Sequence, residues 1–390
     1  MQSSFDMIFD RSDNQTMKWD AERQRAGNPD LLCFGTADMD FQSPYPVRRA
    51  VRQTADIGHF GYPLVDNAYY SAIEQWLTRI AGWKIDARKC VSNNVGIYTS
   101  IWCLIDALTD PGDEIIIQQP VHFCFEQMIR LNGRAAVVNP LICKNNRYEM
   151  DFEQLESCFT NKTKVFWLCN PHNPVGRAWT AAELEKLVDI CERKHVIVVS
   201  DEIHADLMMD GHEHHALCAV SEKARKFVIT QYAPSKTFNL AGLQTSYAVI
   251  PDAQLREAFL RQQTANRLGA MNWFGAAALV TAYTKCDDYV TALCDYVSAN
   301  MDYMVHFLKE RLPELKMTKP EATYMVWVDF RGTGMSTEEI EKFILEKAHI
   351  ATDMGSWFRD GGEGYLRFNL ACPRSILEKA LLQLEKALHA

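Results

Sequence analysis

The 390-residue chain has no lysine- or arginine-rich block, no long apolar run and no Cys-x-x-Cys pair. Each absence excludes something. Acidic residues outnumber basic ones, 50 to 41, and the formal charge of −9 argues against a nucleic-acid partner. The longest apolar runs, such as Val196-Ile197-Val198-Val199, are strand-sized and too short to span a membrane. The first residues, Met1-Gln2-Ser3-Ser4-Phe5-Asp6, lack the basic start and apolar stretch of a signal peptide. Twelve cysteines are many, but they are scattered, and most stand in apolar company (Cys103, Cys169, Cys191) where a reduced, buried thiol is expected. A reduced, cytoplasmic protein is the expectation. No Gly-x-x-x-x-Gly-Lys-Ser/Thr loop is present, nor any repeat or low-complexity tract.

What is present reads as an ordinary globular balance, 47% hydrophobic and 23% charged, with length enough for two domains. Over 89–243 the pattern alternates strand and helix. Strand-like runs at 114–117, 135–138, 164–168 and 195–199 are β-branched and lack strict alternation, as strands covered on both faces do. This predicts an α/β fold around a mostly parallel sheet, whose ligands bind at the carboxyl ends of the strands. The C-terminal part differs: helices at 288–312, 336–347 and 375–388 enclose strands at 323–328 and 365–368. That is an α+β module, expected to be completed by the N-terminal segment. The boundaries implied are 47–285 for a large domain, and 1–46 with 286–390 for a small one.

The stretch Gln231-Tyr232-Ala233-Pro234-Ser235-Lys236-Thr237-Phe238-Asn239 places a lysine in a small polar loop directly after the apolar run Phe227-Val228-Ile229. Lysines follow strands in many proteins, but one at the mouth of a sheet can form a Schiff base with an aldehyde cofactor. Asp201 ends another strand, in Val198-Val199-Ser200-Asp201-Glu202-Ile203-His204. A carboxylate there is costly without a cationic partner. That partner is either a structural basic side chain or a pyridinium N–H, the latter bond being worth roughly 1.5–3 kcal/mol. His204, three residues on, could reach the phenolic oxygen of such a ring. Asn173, in Asn170-Pro171-His172-Asn173-Pro174-Val175-Gly176, sits in a turn that two X-Pro steps and a glycine restrict, so its amide can serve the turn or a ligand. Gly96, in Asn94-Val95-Gly96-Ile97-Tyr98, opens a helix whose N–H groups could meet a phosphate. Arg367, between apolar neighbours, needs an anion: a structural acid, or the α-carboxylate of an amino acid. The cluster His212-Glu213-His214-His215 follows the turn Asp210-Gly211 and reads as a solvated loop rather than a metal site. Taken in order, phosphate glycine, amide, ring-nitrogen carboxylate, lysine and carboxylate arginine specify a site for pyridoxal phosphate.

The same strings carry a resemblance. Met17-Lys18-Trp19-Asp20, Ala37-Asp38-Met39-Asp40-Phe41, Phe60-Gly61-Tyr62-Pro63, Asn170-Pro171-His172-Asn173-Pro174-Val175-Gly176-Arg177, Ser200-Asp201-Glu202-Ile203-His204-Ala205-Asp206-Leu207, Ala233-Pro234-Ser235-Lys236-Thr237-Phe238-Asn239 and Pro320-Glu321-Ala322-Thr323-Tyr324 run from end to end. The chain resembles the fold-type I, class I/II aminotransferase-like enzymes dependent on pyridoxal 5′-phosphate, and within them the cystathionine β-lyase or C–S lyase branch. The resemblance implies a homodimer with active sites at the subunit boundary. It implies that Lys236 is the Schiff-base lysine and proton carrier, that Asp201 binds the pyridine nitrogen, and that Asn173 and His204 approach the ring oxygen. Gly96, Ile97 and Ser235 would hold the phosphate with Tyr62 of a second subunit, and Arg367 the substrate carboxylate.

Two departures stand out. The branch has Pro-Val-Tyr where this chain has Pro120-Val121-His122, so an imidazole, ordinarily titrating near neutrality, replaces the ring-stacking tyrosine. Gln244 lies where many aminotransferases of the wider family place a phosphate-binding arginine, a substitution expected of the lyase branch. The implied activity is β-cleavage of L-cystathionine or a related cysteine S-conjugate to a thiol, pyruvate and ammonia. Amino-group transfer by the same lysine, and a regulatory protein acting through a partner, are the competing expectations.

Overall fold

The computed structural model describes residues 4–11, 14–144 and 147–390. Its centre is a seven-stranded sheet of Val91–Asn94 (β1), Glu114–Ile117 (β2), Ala135–Val138 (β3), Thr163–Cys169 (β4), Ile197–Asp201 (β5), Val228–Tyr232 (β6) and Ser246–Val249 (β7). Their spatial order is β1-β7-β6-β5-β4-β2-β3. Only β7 runs against its neighbours, pairing antiparallel with both β1 and β6. The lack of polar alternation in these strands has a direct cause. In β4, Val165, Trp167 and Cys169 enter one apolar core, and Phe166 and Leu168 enter another on the opposite face. Helices Ile97–Leu108, Cys124–Leu131 and Ala253–Ala265 cover the first face. Asn67–Ala81, Ala181–Lys194 and Trp273–Lys285 cover the second.

A third core gathers around the four strands Lys316–Met317 (β8), Met325–Asp329 (β9), Asp353–Met354 (β10) and Tyr365–Asn369 (β11), in the order β8-β9-β11-β10. The N-terminal segment belongs to it. Leu32–Cys33 pairs in parallel with Ile350–Ala351, and Phe34, Met39 and Phe41 are buried there. Trp327, Phe358 and Tyr365 of this module also pack into the core of the large sheet. We propose 47–285, and 1–46 with 286–390, as the two folding units, each organised on its own sheet. Among the described residues no helix is long and apolar enough to cross a membrane.

One polar knot fastens the end of β5. The buried Glu202 accepts hydrogen bonds from Ser200 Oγ (2.8 Å), the Leu217 N–H (2.9 Å), His214 Nε2 (2.9 Å) and the Tyr232 hydroxyl. Its neighbour Asp201 faces the other way, as successive strand residues do. The knot corrects the reading of the histidine cluster: His212 and Glu213 are exposed, but His214 is buried because it caps this carboxylate. No group of three or more metal-ligating side chains occurs among the described residues. Glu202→Ala leaves four buried donors without an acceptor. We expect it to cost on the order of 3–5 kcal/mol in urea unfolding. A loss under about 1 kcal/mol would show that water or another acceptor replaces the carboxylate.

Candidate active site

The carboxyl ends of β1, β4, β5 and β6 open onto one pocket beneath the C-terminal module. Gly96, Ile97, His122, Asn173, Asp201, His204, Ser235, Lys236 and Gln244 all line it, with Ala37 and Tyr98. Residues 96, 173, 201 and 236 meet because parallel strands present their loops at one edge, and Gln244 joins them because antiparallel β7 begins at that same edge. Arg367 lies just behind Asn173. Tyr62 does not line the pocket; it is fully exposed within the single chain.

Lys236 follows β6 by four residues, and its Nζ donates to the carbonyl of Ala37 at 3.0 Å. Burial, and then the charge of Arg367, bring its pKa down to about 8, so roughly a tenth is unprotonated at neutrality, far more than for a solvated lysine. Asp201 is buried at the end of β5. Among the described residues its carboxylate accepts one hydrogen bond, from the Ile203 N–H at 3.3 Å. Burial raises its pKa to about 7. This carboxylate lacks a close cation, although the Lys236 charge acts on it.

Arg367 is 1% exposed and stands over the ring of Phe358, 5.0 Å from its centroid. One edge meets Asp353, and Nη1 donates to Asn173 Oδ1 at 2.8 Å. Both partners weighed for Arg367 are thus in play: a structural acid holds one edge, and Nε has no partner among the described residues. The contact also orients Asn173, since committing its Oδ1 to the guanidinium leaves Nδ2 as the group free to donate. Nδ1 of the buried His204 likewise has no partner among the described residues. Burial, with Lys236 and Arg367 nearby, holds His204 well below its ordinary pKa.

His122 departs from the expectation that it titrates near neutrality. Burial, then the charges of Arg367, Lys236 and His204, push it well below 6.5, so the ring is neutral in the pocket. Gly96 adopts φ 80°, and a Cβ there would lie 2.4 Å from Gln244 Oε1. The positive φ is what favours glycine here, and any Cβ would also have to displace the Gln244 amide.

Sequence reasoning missed the strap that crosses the lysine. Asn239 bonds the backbone at both Met39 and Phe41, and Asn369 Nδ2 donates to the carbonyls of Thr36 and Asp38. The carbonyl of Ala37 between them also accepts from the Tyr324 hydroxyl at 3.2 Å. These contacts join positions some 200 to 330 residues apart, and nothing local in the sequence marks them. Asp206 was also missed: it accepts from Thr237 Oγ1 (2.6 Å) and Trp76 Nε1 (3.0 Å), bracing the loop that carries Lys236.

A sequence profile of the aminotransferase class I and II family matches residues 29–384. The chain belongs to this family. Cystathionine beta-lyase PatB of Bacillus subtilis is 37% identical over 99% of the chain and 100% of its own length. Among solved structures, a PLP-bound candidate aminotransferase of Clostridium difficile 630 superposes with a TM-score of 0.95 at 38% identity, covering 98% of this chain and 99% of that one. Cystalysin of Treponema denticola, which contains pyridoxal 5′-phosphate, gives 0.96 at 31% identity, covering 100% and 99%.

The pocket itself fits that cofactor. Asp201 is a buried carboxylate short of a cationic donor, Lys236 a half-buried amine with one carbonyl partner, and His204 Nδ1 has no partner among the described residues. The first N–H groups of helix Ile97–Leu108 have no intrahelical acceptors, and Gly96 keeps the approach to them open.

Proposed function

We propose that the protein is a pyridoxal-phosphate-dependent C–S β-lyase that cleaves L-cystathionine or a related cysteine S-conjugate to a thiol, pyruvate and ammonia. The observation that carries it is the meeting of Lys236, Asp201 and Asn173 at one pocket, with Arg367 bonded to Asn173 behind it, in a chain so similar, along its whole length, to a protein named cystathionine beta-lyase. Pyridoxal phosphate, when bound, supplies an aldehyde that condenses with amines and a ring that accepts electrons. The protein does the rest. Asp201 would hold the pyridine nitrogen in its protonated form, and Asn173 Nδ2 and His204 would serve the ring oxygen. The open N–H groups after Gly96, with Ser235, would hold the phosphate. Arg367 fixes the substrate's α-carboxylate, which places the α-hydrogen toward Lys236. Lys236 removes that proton, and the Cβ–S bond breaks with its electron pair leaving on sulfur. One water is consumed overall, and the neutral His122 ring flanks the reaction without adding charge.

The test is to incubate the holoenzyme with L-cystathionine and measure pyruvate and free thiol, with and without an added 2-oxo acid. Pyruvate and thiol without the acceptor are expected. Acceptor-dependent amino-group exchange with no thiol would establish the aminotransferase reading instead.

The working unit in this proposal is a homodimer. Tyr62 and Leu64 are 100% and 92% exposed, and Phe60, Tyr98 and Trp102 add apolar area that a second copy would cover. Tyr62 then reaches the neighbour's phosphate. If so, mixing inactive Tyr62→Ala and Lys236→Ala proteins after dissociation restores about a quarter of wild-type activity, from mixed dimers with one intact site. Absence of any recovery under conditions where subunits exchange would argue against a shared site. The twelve unpaired cysteines suit a reducing, cytoplasmic setting.

A further inference from the structure

Beside the pocket lies a second concavity of about 750 Å³, between helix Cys124–Leu131 and the loop that follows β10. Phe123 is the partition. Its ring packs on His122, 4.6 Å between centroids, and makes edge-type contacts with Trp357 at 6.0 Å and Phe358 at 6.1 Å. Phe358 in turn underlies Arg367. Only the Phe358 and Phe123 rings thus stand between Arg367 and the groove.

The groove's charge is unbalanced. Arg130 and Arg359 both line it, with Glu126 as the one acid on its walls. Arg130 takes Glu126 at 2.6 Å. Arg359 reaches the same carboxylate only at 3.5 Å, beyond ordinary hydrogen-bond length, and is 65% exposed. Its terminal N–H groups are therefore available. Arg359 also has φ 63° and ψ −137°, a conformation that suits glycine. An arginine held there is strained, as groups with a binding task often are.

We propose that this groove receives the part of the substrate beyond sulfur, and that Arg359 selects L-cysteine S-conjugates whose sulfur substituent ends in a carboxylate. Trp357 and Phe123 flank its methylenes, and Arg359 supplies the charge-assisted hydrogen bonds at its end. The assignment rests on the C–S lyase reading for the direction of the substituent, and its test separates the two. The substrates are S-(2-carboxyethyl)-L-cysteine and its uncharged isostere S-(3-methylbutyl)-L-cysteine, with pyruvate as the product measured. The holoenzyme is expected to favour the carboxylate by about tenfold or more in kcat/KM, chiefly through KM. Arg359→Gln and Arg359→Gly are expected to bring that ratio near one. Arg359→Gly should do so with an unchanged or raised Tm, because glycine relieves the backbone strain.

Binding is read independently by calorimetry on the holoenzyme with the corresponding thioether acids that lack the amino group and cannot react. The dicarboxylate should bind wild type about tenfold more tightly than it binds Arg359→Gln. Pyruvate from both substrates at equal efficiency in wild type, or a preference that survives both variants, overturns the subsite and leaves the lyase reading standing. No pyruvate from either substrate, with Arg359-dependent dicarboxylate binding intact, overturns the lyase reading and keeps the subsite. A fall in Tm for Arg359→Gly, with equal losses on both substrates, would make Arg359 structural and end the proposal.

Discussion

Lys236→Ala is expected to lower turnover by at least about 10⁴-fold and to remove the visible absorption that marks covalently held pyridoxal phosphate. Among the described residues no other amine is placed to substitute, since Lys236 is the one lysine of those lining the pocket. Its amine is also tuned for the task. Burial beside Arg367 brings the pKa to about 8, so both protonation states are accessible near neutrality. Lys236→Arg should be as inactive as the alanine variant, because a guanidinium does not release its proton in this range. Survival of either the turnover or the absorption band in Lys236→Ala would sink the assignment.

Asp201→Asn should have effects of opposite sign on the cofactor-free and cofactor-loaded protein. In the cofactor-free chain the folded Asp201 holds its proton up to about pH 7, whereas the unfolded group releases it near 3.8. The folded state therefore binds more protons between these values, and stability falls as pH rises through the window, by up to about 4 kcal/mol. Above about pH 7 the penalty is complete and level. Asparagine has no such proton, so the cofactor-free variant should outlast wild type in urea at pH 8. With pyridoxal phosphate added the order reverses, because the wild-type carboxylate then faces a protonated ring nitrogen and its burial cost is offset. The variant gains less on cofactor addition, and kcat/KM falls on the order of 10²–10³. An Asp201→Asn enzyme with undiminished kcat/KM would remove Asp201 from the machinery.

Much of this was legible in one dimension, for identifiable reasons. The inner strand over 114–117 keeps its run of isoleucines because it is covered on both faces, whereas 135–138 is an edge strand, half-buried, that is legible only from its own short apolar run. Parallel strands open their loops at one edge, so Asn173, Asp201 and Lys236 could be placed together before any coordinates. The histidine cluster shows where this reasoning stops. His214 looks like a loop residue by its neighbours and is buried because Glu202, twelve positions earlier, requires a donor. His122 likewise has an ordinary imidazole's chemistry in isolation, and loses it through burial and then the charges of Arg367, Lys236 and His204.

Residue order and type were enough to indicate the two kinds of module, from hydrophobic period, and the functional groups at the strand ends, while the family came from the resemblance of whole motifs. Only the tertiary structure decided how that repertoire is set. Long-range contacts lay the 36–41 strap over Lys236, turn Asn173 against Arg367, leave Asp201 short of a cationic donor, and bring Arg359 to the groove beside Phe123. The reason is physical: a side chain's reactivity depends on burial and on charges a few ångströms away, and those neighbours come from parts of the chain hundreds of residues distant.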